Sequence, residues 1–415
     1  MSASSTARPA VRPLAGAGLI LLLGTLTAIG PTAIDMYLPA LPSIGREFAA
    51  PARDVQLTLA VYFVGLALGQ LLYGPISDRM GRKGPMLFGL GLFTAASLGC
   101  ALAPNIWVLV ACRFLQALGG CAAIVVSRAI VRDAFPVQDA ARVFSLMTLV
   151  MGVAPILAPL AGAGLLAVAS WHVIFLAIAG FGTLTFALAA FGLPETRPAT
   201  RRQAEAPASL AEDLRHLLKD RHFLGYSLAG GMAQAGMFTY IAGAPFVFIE
   251  LHQLSATTFS WIFGINAMGL IAASQANAWL LKRRDPHGLL RRSVMAPGAF
   301  GLALTAAAAT GAGGTWGLLV PLFGFVASLG FVQPNATAAA LEQHGRRAGF
   351  ASAVMGAMQF ALAAIASAMI GRMHDASALP MALVMATCGM LAFFAHRFLA
   401  APPAAQRASL GSGSR

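Results

Sequence analysis

Ten consecutive residues, Gly74-Pro75-Ile76-Ser77-Asp78-Arg79-Met80-Gly81-Arg82-Lys83, set three bases and one acid between and just beyond two glycines. A phosphate cradle is the first chemistry to test, and the spacing excludes it. Six residues separate Gly74 from Gly81, and Gly84 follows Lys83 where a Ser or Thr would have to bind the metal of a nucleotide. What remains is a loop joining two helices. Gly74 and Gly81 permit a tight turn, and Arg79, Arg82 and Lys83 hold it at a charged surface. Asp78 is left free to meet a helix N-terminus or an arginine.

Arg113 is the second residue of interest, because it lies deep inside an apolar run. An arginine at the centre of a membrane helix costs about 2.5 to 3.5 kcal/mol on insertion scales, so it is expected to face a cavity or a partner. At a rise of about 1.5 Å per residue, Arg113 sits roughly 10 Å below the outer surface. Asp35 closes the first apolar run near that same surface, within reach of an extended arginine.

These groups need elements to position them, and the composition says which. Of the 415 residues 58% are hydrophobic and 10% charged, with a mean hydropathy of +0.74, which excludes a soluble globular chain. The apolar blocks are long and continuous, not alternating ten-residue segments, so helices and not a barrel are expected. Twelve spans are read at residues 14–35, 54–74, 84–103, 106–127, 140–163, 171–193, 223–250, 257–281, 289–310, 313–340, 349–371 and 379–399. The predicted organisation is a tail at 1–13, a six-helix bundle at 14–193, a linker at 194–222, a second bundle at 223–399 and a tail at 400–415. In the linker, Ser209 stands three residues before Glu212 and Leu210, Leu214, Leu217 and Leu218 follow at helical intervals. That pattern predicts a short amphipathic helix on the membrane surface.

The net charge of +13 raises the question of nucleic acid, and position answers it. With the N-terminus inside, all but four of the 28 Lys and Arg fall in inner loops and helix ends. Arg46, Arg53 and Arg372 fall outside and Arg113 lies within a span. This is the positive-inside asymmetry of a membrane protein with both termini cytoplasmic, and no nucleic-acid partner is expected. The four cysteines fall in apolar spans without metal spacing and the eight histidines sit singly at loops and helix ends. No disulfide framework, metal site or cofactor is expected.

The ten-residue loop resembles the cytoplasmic signature of the major facilitator superfamily, with Ile76 where that signature has leucine. Asp35-Met36-Tyr37-Leu38-Pro39-Ala40-Leu41-Pro42, Ser127-Arg128-Ala129-Ile130-Val131-Arg132-Asp133, Ala154-Pro155-Ile156-Leu157-Ala158-Pro159 and Gln333-Pro334-Asn335-Ala336 are similar to the Bcr/CflA branch of its twelve-helix drug:proton antiporters. The resemblance implies two six-helix bundles and efflux of bicyclomycin- or chloramphenicol-like drugs, driven by inward proton movement without a cofactor. Arg113, with Gln116, Gly119 and Gly120, resembles the family's fourth-helix motif, and the shared depth of Asp35 and Arg113 points to Asp35 as the proton-coupling acid with Arg113 as its electrostatic modulator. The resemblance also implies an inner gate in which Arg82 pairs with Asp133 and Asp78 faces the start of the eleventh helix at 349–352. Pro155, Pro159 and Gly162 resemble the antiporter motif of the fifth helix, with alanines at two of its glycine positions, and suit a pliable helix between the halves.

Substrate contacts are expected from aromatic, amide and polarizable groups facing a central cavity: Tyr37, Gln234, Tyr240, Gln333, Asn335, Met355, Met358 and Gln359. Glu250, near the outer end of the seventh span, is a further titratable group. Arg113-Phe114-Leu115-Gln116 and Gly330-Phe331-Val332-Gln333 hold corresponding places in the two halves, as internal duplication produces. The expected protein is a monomeric exporter of the bacterial inner membrane, in contact with lipid, drug and protons. A proton-coupled importer of a nutrient is its nearest rival, and no nucleophile-base pair supports an enzyme.

Overall fold

A computed structural model describes residues 16–197, 210–344, 348–373 and 377–400. Twelve helices long and apolar enough to cross a membrane occur among them. They are α1 (Gly18–Glu47), α2 (Ala52–Met80), α3 (Lys83–Ala101), α4 (Ile106–Ala134), α5 (Val137–Val168) and α6 (His172–Gly192), then α7 (Arg221–Leu251), α8 (Ala256–Leu280), α9 (Pro286–Thr310), α10 (Gly314–Leu341), α11 (Ala348–Arg372) and α12 (Leu379–Leu399). Short polar residues fix several starts. Asn105 accepts hydrogen bonds from the Trp107 and Val108 amides at 3.1 and 3.0 Å, and Asp220, Ser255 and Asp285 cap α7, α8 and α9 in the same way. Large apolar side chains such as Leu21, Phe88, Leu157 and Phe191 remain on the outer surface, where lipid would cover them.

The first span is longer than its sequence suggests. The helix Ala17–Asp35 continues through a tight turn at Leu38–Ala40 into a short helix, Leu41–Glu47. Pro39 and Pro42 read as terminators, but each stands in the first turn of its segment, where the missing N–H has no intrahelical partner to lose. Asp35 is therefore in the interior of the span, twelve residues or about 18 Å of helix before its end. Its expected place at the outer surface is wrong, and Arg46 belongs to the last turn of α1, not to a loop.

The two halves meet along two seams. In one, α2 packs on α11: the Gln70 amide lies against Gly356 and, at the other end, Arg53 and Gln56 lie against Gly371. In the other, α5 packs on α8, with Gly152 against Ile271, Ile156 against Gly264, and the Ser260 hydroxyl donating to the Pro159 carbonyl at 3.0 Å. At the end remote from the basic loops, the last turns of α1 pack on Pro245–Leu251 of α7, a π-helical turn.

Of the linker, residues 194–197 and a helix at Leu210–Lys219 are described; Ser209 and its capping box lie outside the described residues, as do Arg8, Arg12, Arg201, Arg202, Arg346, Arg347, Arg407 and Arg415 and both tails apart from Ala400. Leu217 is buried and Leu218 exposed, so the apolar stripe is narrower than its leucines imply.

Candidate functional site

Arg113 is completely buried, and its surroundings are unusual for a cation. Its guanidinium is stacked 4.1 Å from the Tyr62 ring centroid and 4.4 Å from that of Tyr37, with Phe175 at 5.8 Å. One terminal nitrogen donates to the Ala33 carbonyl at 3.0 Å and to Gln116 Oε1 at 2.5 Å. Gln116 in turn donates to Ser97 at 2.8 Å, and the Tyr37 and Thr58 hydroxyls share a short hydrogen bond. Aromatic faces and two carbonyl oxygens thus supply part of the negative potential that a carboxylate would otherwise provide, while Nε and the other terminal nitrogen have no hydrogen-bond partner among the described residues.

The expected Asp35–Arg113 pair is not formed. Asp35 is only 4% exposed, yet among the described residues it has no ion pair or hydrogen bond through its side chain. Arg113 grips the backbone of α1 two residues earlier, so any influence on Asp35 passes through the helix and through space rather than a direct bond. The counterpart in the second half follows the same plan: Gln333 of α10 donates at 2.8 Å to the Gly230 carbonyl of α7 and to Gln234.

Several residues expected to line a cavity are instead part of the packing. Tyr37 is fully buried beside Arg113. Tyr240 is buried against Phe263 and accepts a hydrogen bond from Asn266 at 3.0 Å. Asn335 joins α10 to Asn277 of α8 at 2.7 Å, and Met355 is 6% exposed. Gln234, Gln333, Met358 and Gln359 keep part of their surface. Beside them the structure gathers three rings from different spans: Phe63 and Phe238 at 4.5 Å, Phe238 and Phe360 at 5.7 Å, and Phe63 and Phe360 at 6.5 Å. These come from α2, α7 and α11 and bridge the halves. Nothing in their local sequence separates them from the other 23 phenylalanines.

At the end remote from the basic loops lies a cavity of about 340 Å³ between α1, α2 and α7. Arg46, Gln56 and Glu250 supply its polar groups, so Glu250 faces a shared hollow of the two halves.

On the basic face, Arg82 is the hub. Its Nε donates to Asp133 at 2.7 Å, and one terminal nitrogen donates to Asp78 at 2.7 Å and to Ser77 at 2.9 Å. Burial works against its charge, but the bond to Asp133 and the charges of Asp133 and Asp78 outweigh burial and raise the Arg82 pKa. Gly81 turns the chain at φ 93, a conformation that favours glycine, whereas Gly74 is an ordinary helical residue of α2. Arg79 is exposed and Lys83 opens α3.

Asp78 does not face the start of α11. Its carboxylate also accepts from Arg197, at 3.1 Å, and it is Arg132 that lies against Gly349. Glu195 completes the set by accepting from the Arg82 and Lys83 amides at 2.9 and 3.2 Å, capping α3. Glu195 and Arg197 escaped sequence reading because the charged linker around them looks like solvated chain. In α5, Pro155 and Pro159 stand inside the helix, and Gly162 lies so close to the Met36 carbonyl that no side chain could fit without movement.

Twelve spans in two six-helix halves, with a glycine-turned charged loop and a buried arginine in the first of them, are the architecture of a polytopic membrane transporter. The family model of the Major Facilitator Superfamily matches residues 21–368, and the chain belongs to that superfamily. Its relatives include an uncharacterized MFS-type transporter, YdgK, of Bacillus subtilis, 39% identical over 382 residues and covering 91% of this chain and 94% of that one. A bicyclomycin resistance protein homolog of Haemophilus influenzae is 30% identical over 92% of this chain and 95% of its own length. The multidrug resistance protein MdtL of Escherichia coli is 30% identical over 80% and 83%. The xylose transporter XylE of Escherichia coli, in a partially occluded inward-open conformation, superimposes with a TM-score of 0.73 over 92% of this chain and 97% of its own, at 16% identity. That likeness concerns the fold.

Proposed function

We propose that the chain is a drug:proton antiporter that exports small amphipathic drugs from the cytoplasm across the bacterial inner membrane. The observation that carries this reading is the buried, unpaired carboxyl of Asp35 inside α1, two residues beyond the carbonyl that Arg113 holds. A buried acid with no fixed cation beside it is costly to ionise, so its charge depends on whether water, cargo or a proton has reached it, which is what coupling needs. Drug and proton then compete: drug binding favours the deprotonated acid, and protonation from outside favours release. The resistance-protein names of two relatives support a drug as cargo. The Phe63, Phe238 and Phe360 rings with Gln234, Gln333, Met358 and Gln359 suit a moderately apolar molecule. With the basic loops inside, both termini face the cytoplasm, and one chain holds a complete site.

The deciding experiment is a drug-susceptibility panel in a strain stripped of its own pumps, with drug uptake measured in everted vesicles. The wild type should protect cells and load everted vesicles when a proton gradient is imposed, and Asp35→Asn should do neither. Accumulation in right-side-out vesicles instead would favour proton-coupled import.

A further inference from the structure

Four of the eight histidines, spaced across the second half of the sequence, converge on the basic face, three of them around Tyr226 and the fourth, His344, against Phe223. They were expected to stand singly. His222 and Tyr226 open α7, His287 opens α9, His344 follows α10 and His396 ends α12. The Tyr226 ring lies 4.9 Å from His222, 5.5 Å from His287 and 5.8 Å from His396.

Three of these histidines fasten one short piece of chain. Pro334 interrupts α10, leaving it without one rung of its hydrogen-bond ladder, and the piece from Asn335 onward is the tail beyond that weak point. His222 Nε2 lies 2.9 Å from the Ala339 carbonyl and His287 Nε2 lies 3.0 Å from the Glu342 carboxylate, while His344 Nε2 lies 3.1 Å from an Asp220 oxygen without hydrogen-bond geometry, within ion-pair distance only. The tail of α10 is thus held to the entries of α7 and α9 by imidazoles, two of which face carboxylates.

We propose that His287–Glu342 and His344–Asp220 form a proton-binding clamp that fixes the tail of α10 beyond Pro334 and tightens as the basic face is acidified. In the neutral state the Tyr226 hydroxyl donates to His287 Nδ1, 3.1 Å away, while Nε2–H donates to Glu342. A proton on Nδ1 makes the ring a donor on both sides, turns Tyr226 into an acceptor and converts the hydrogen bond between a neutral ring and a carboxylate into an ion pair. A proton on His344 likewise turns its 3.1 Å approach to Asp220 into an ion pair. Histidine side chains change charge near pH 6.5 in general, about where a cytoplasm receiving protons would drift.

The other groups facing the cluster act within the same range. His396 feels the charges of His287, Arg291 and Arg397, and no acid is paired with it among the described residues. His222 is buried, with its Nε2 on the Ala339 carbonyl and its Nδ1 without a hydrogen-bond partner among the described residues, and no carboxylate faces it there. The clamp therefore resides in the two histidines that face acids. Because it concerns the set of α10 alone, it holds whether the cargo is a drug or another solute.

The test is a nitroxide on Thr337→Cys, in a background with Cys100, Cys112, Cys121 and Cys388 replaced by Ser, its mobility recorded from pH 8 to pH 6 in lipid nanodiscs. The immobile fraction relative to the mobile one should rise about threefold in the parent, within the range that partly exposed pairs supply. In His287→Gln/His344→Gln it should stay flat, and in Glu342→Gln, an exposed acid whose loss spares the fold, the rise should shrink by about half, since one of two pairs remains. His172→Gln, at the opposite end of the molecule, should leave it intact. A flat response in the parent, a full rise in the double variant, or a full rise in Glu342→Gln would each overturn the clamp.

Discussion

Asp35 and Arg113 are buried within one region of the first half, yet they do different work. Arg113 is committed: two tyrosine faces and two carbonyl oxygens hold it. Lysine at this position keeps the charge and loses the planar face, so Arg113→Lys should lose about 2 kcal/mol of desolvated cation–π contact. The check is the thermal unfolding midpoint in detergent beside the export rate. Both should fall, and an unchanged midpoint would remove the stacking from the account. Asp35 is uncommitted, and Asp35→Asn should abolish proton-driven export while the protein still inserts, because an amide cannot exchange a proton in this range. Proton release on drug addition, followed with a dye in proteoliposomes, should vanish in the variant. Export against a gradient at the parent's rate would exclude Asp35 from coupling.

The elements set where these side chains can act. α5 crosses α1 at Gly162, whose missing side chain is filled by the Met36 carbonyl, just past Asp35. Gly162→Ala must push the two helices apart, at a cost of roughly 1 to 3 kcal/mol for overpacking. A lower unfolding midpoint and slower export are expected, whereas Gly164→Ala, which meets open space, should behave as the parent. A Gly162→Ala protein as stable and active as the parent would mean that this crossing tolerates separation. The loop between α2 and α3 is likewise built by its neighbours: Asp133 of α4, and Glu195 and Arg197 just after α6, hold Arg82, the α3 amides and Asp78 in one lattice.

At the scale of the whole molecule, this lattice ties the start of the interdomain linker to the first half. Asp78 is half-exposed, and a pair of that kind contributes about 0 to 1 kcal/mol. So small an amount still matters where two conformations are nearly balanced, since 1 kcal/mol changes a population ratio about fivefold. Asp78→Asn should therefore shift the balance of inward- and outward-facing forms and slow export without altering which drugs are recognised. Crosslinking of cysteines placed across the basic-face contact of α4 and α11, near Arg132 and Gly349, measures this. Equal crosslinking in parent and variant at matched pH and ligand would rule out a bracing role.

Hydropathy by itself determined the twelve spans, because lipid demands a continuous apolar run for every crossing and leaves no other signal to confuse with it. The charged loop and Arg113 were legible for a related reason: an ionised group is costly near lipid, so each one present needs an explanation. The depth of Asp35 was not legible, since Pro39 and Pro42 look alike in sequence whether they end a helix or open its next turn. Nor were the partners. A carboxylate was expected beside Arg113, and only the packing of α1, α2, α4 and α6 substituted tyrosine faces and a backbone carbonyl. The same holds for Phe63, Phe238 and Phe360, for Glu195 and Arg197, and for the histidines around Tyr226. Their meaning comes from contacts between residues far apart in the chain, and local composition carries no record of which distant side chain will arrive. Sequence fixes the cost of placing a group in a membrane, and the tertiary structure decides what offsets it.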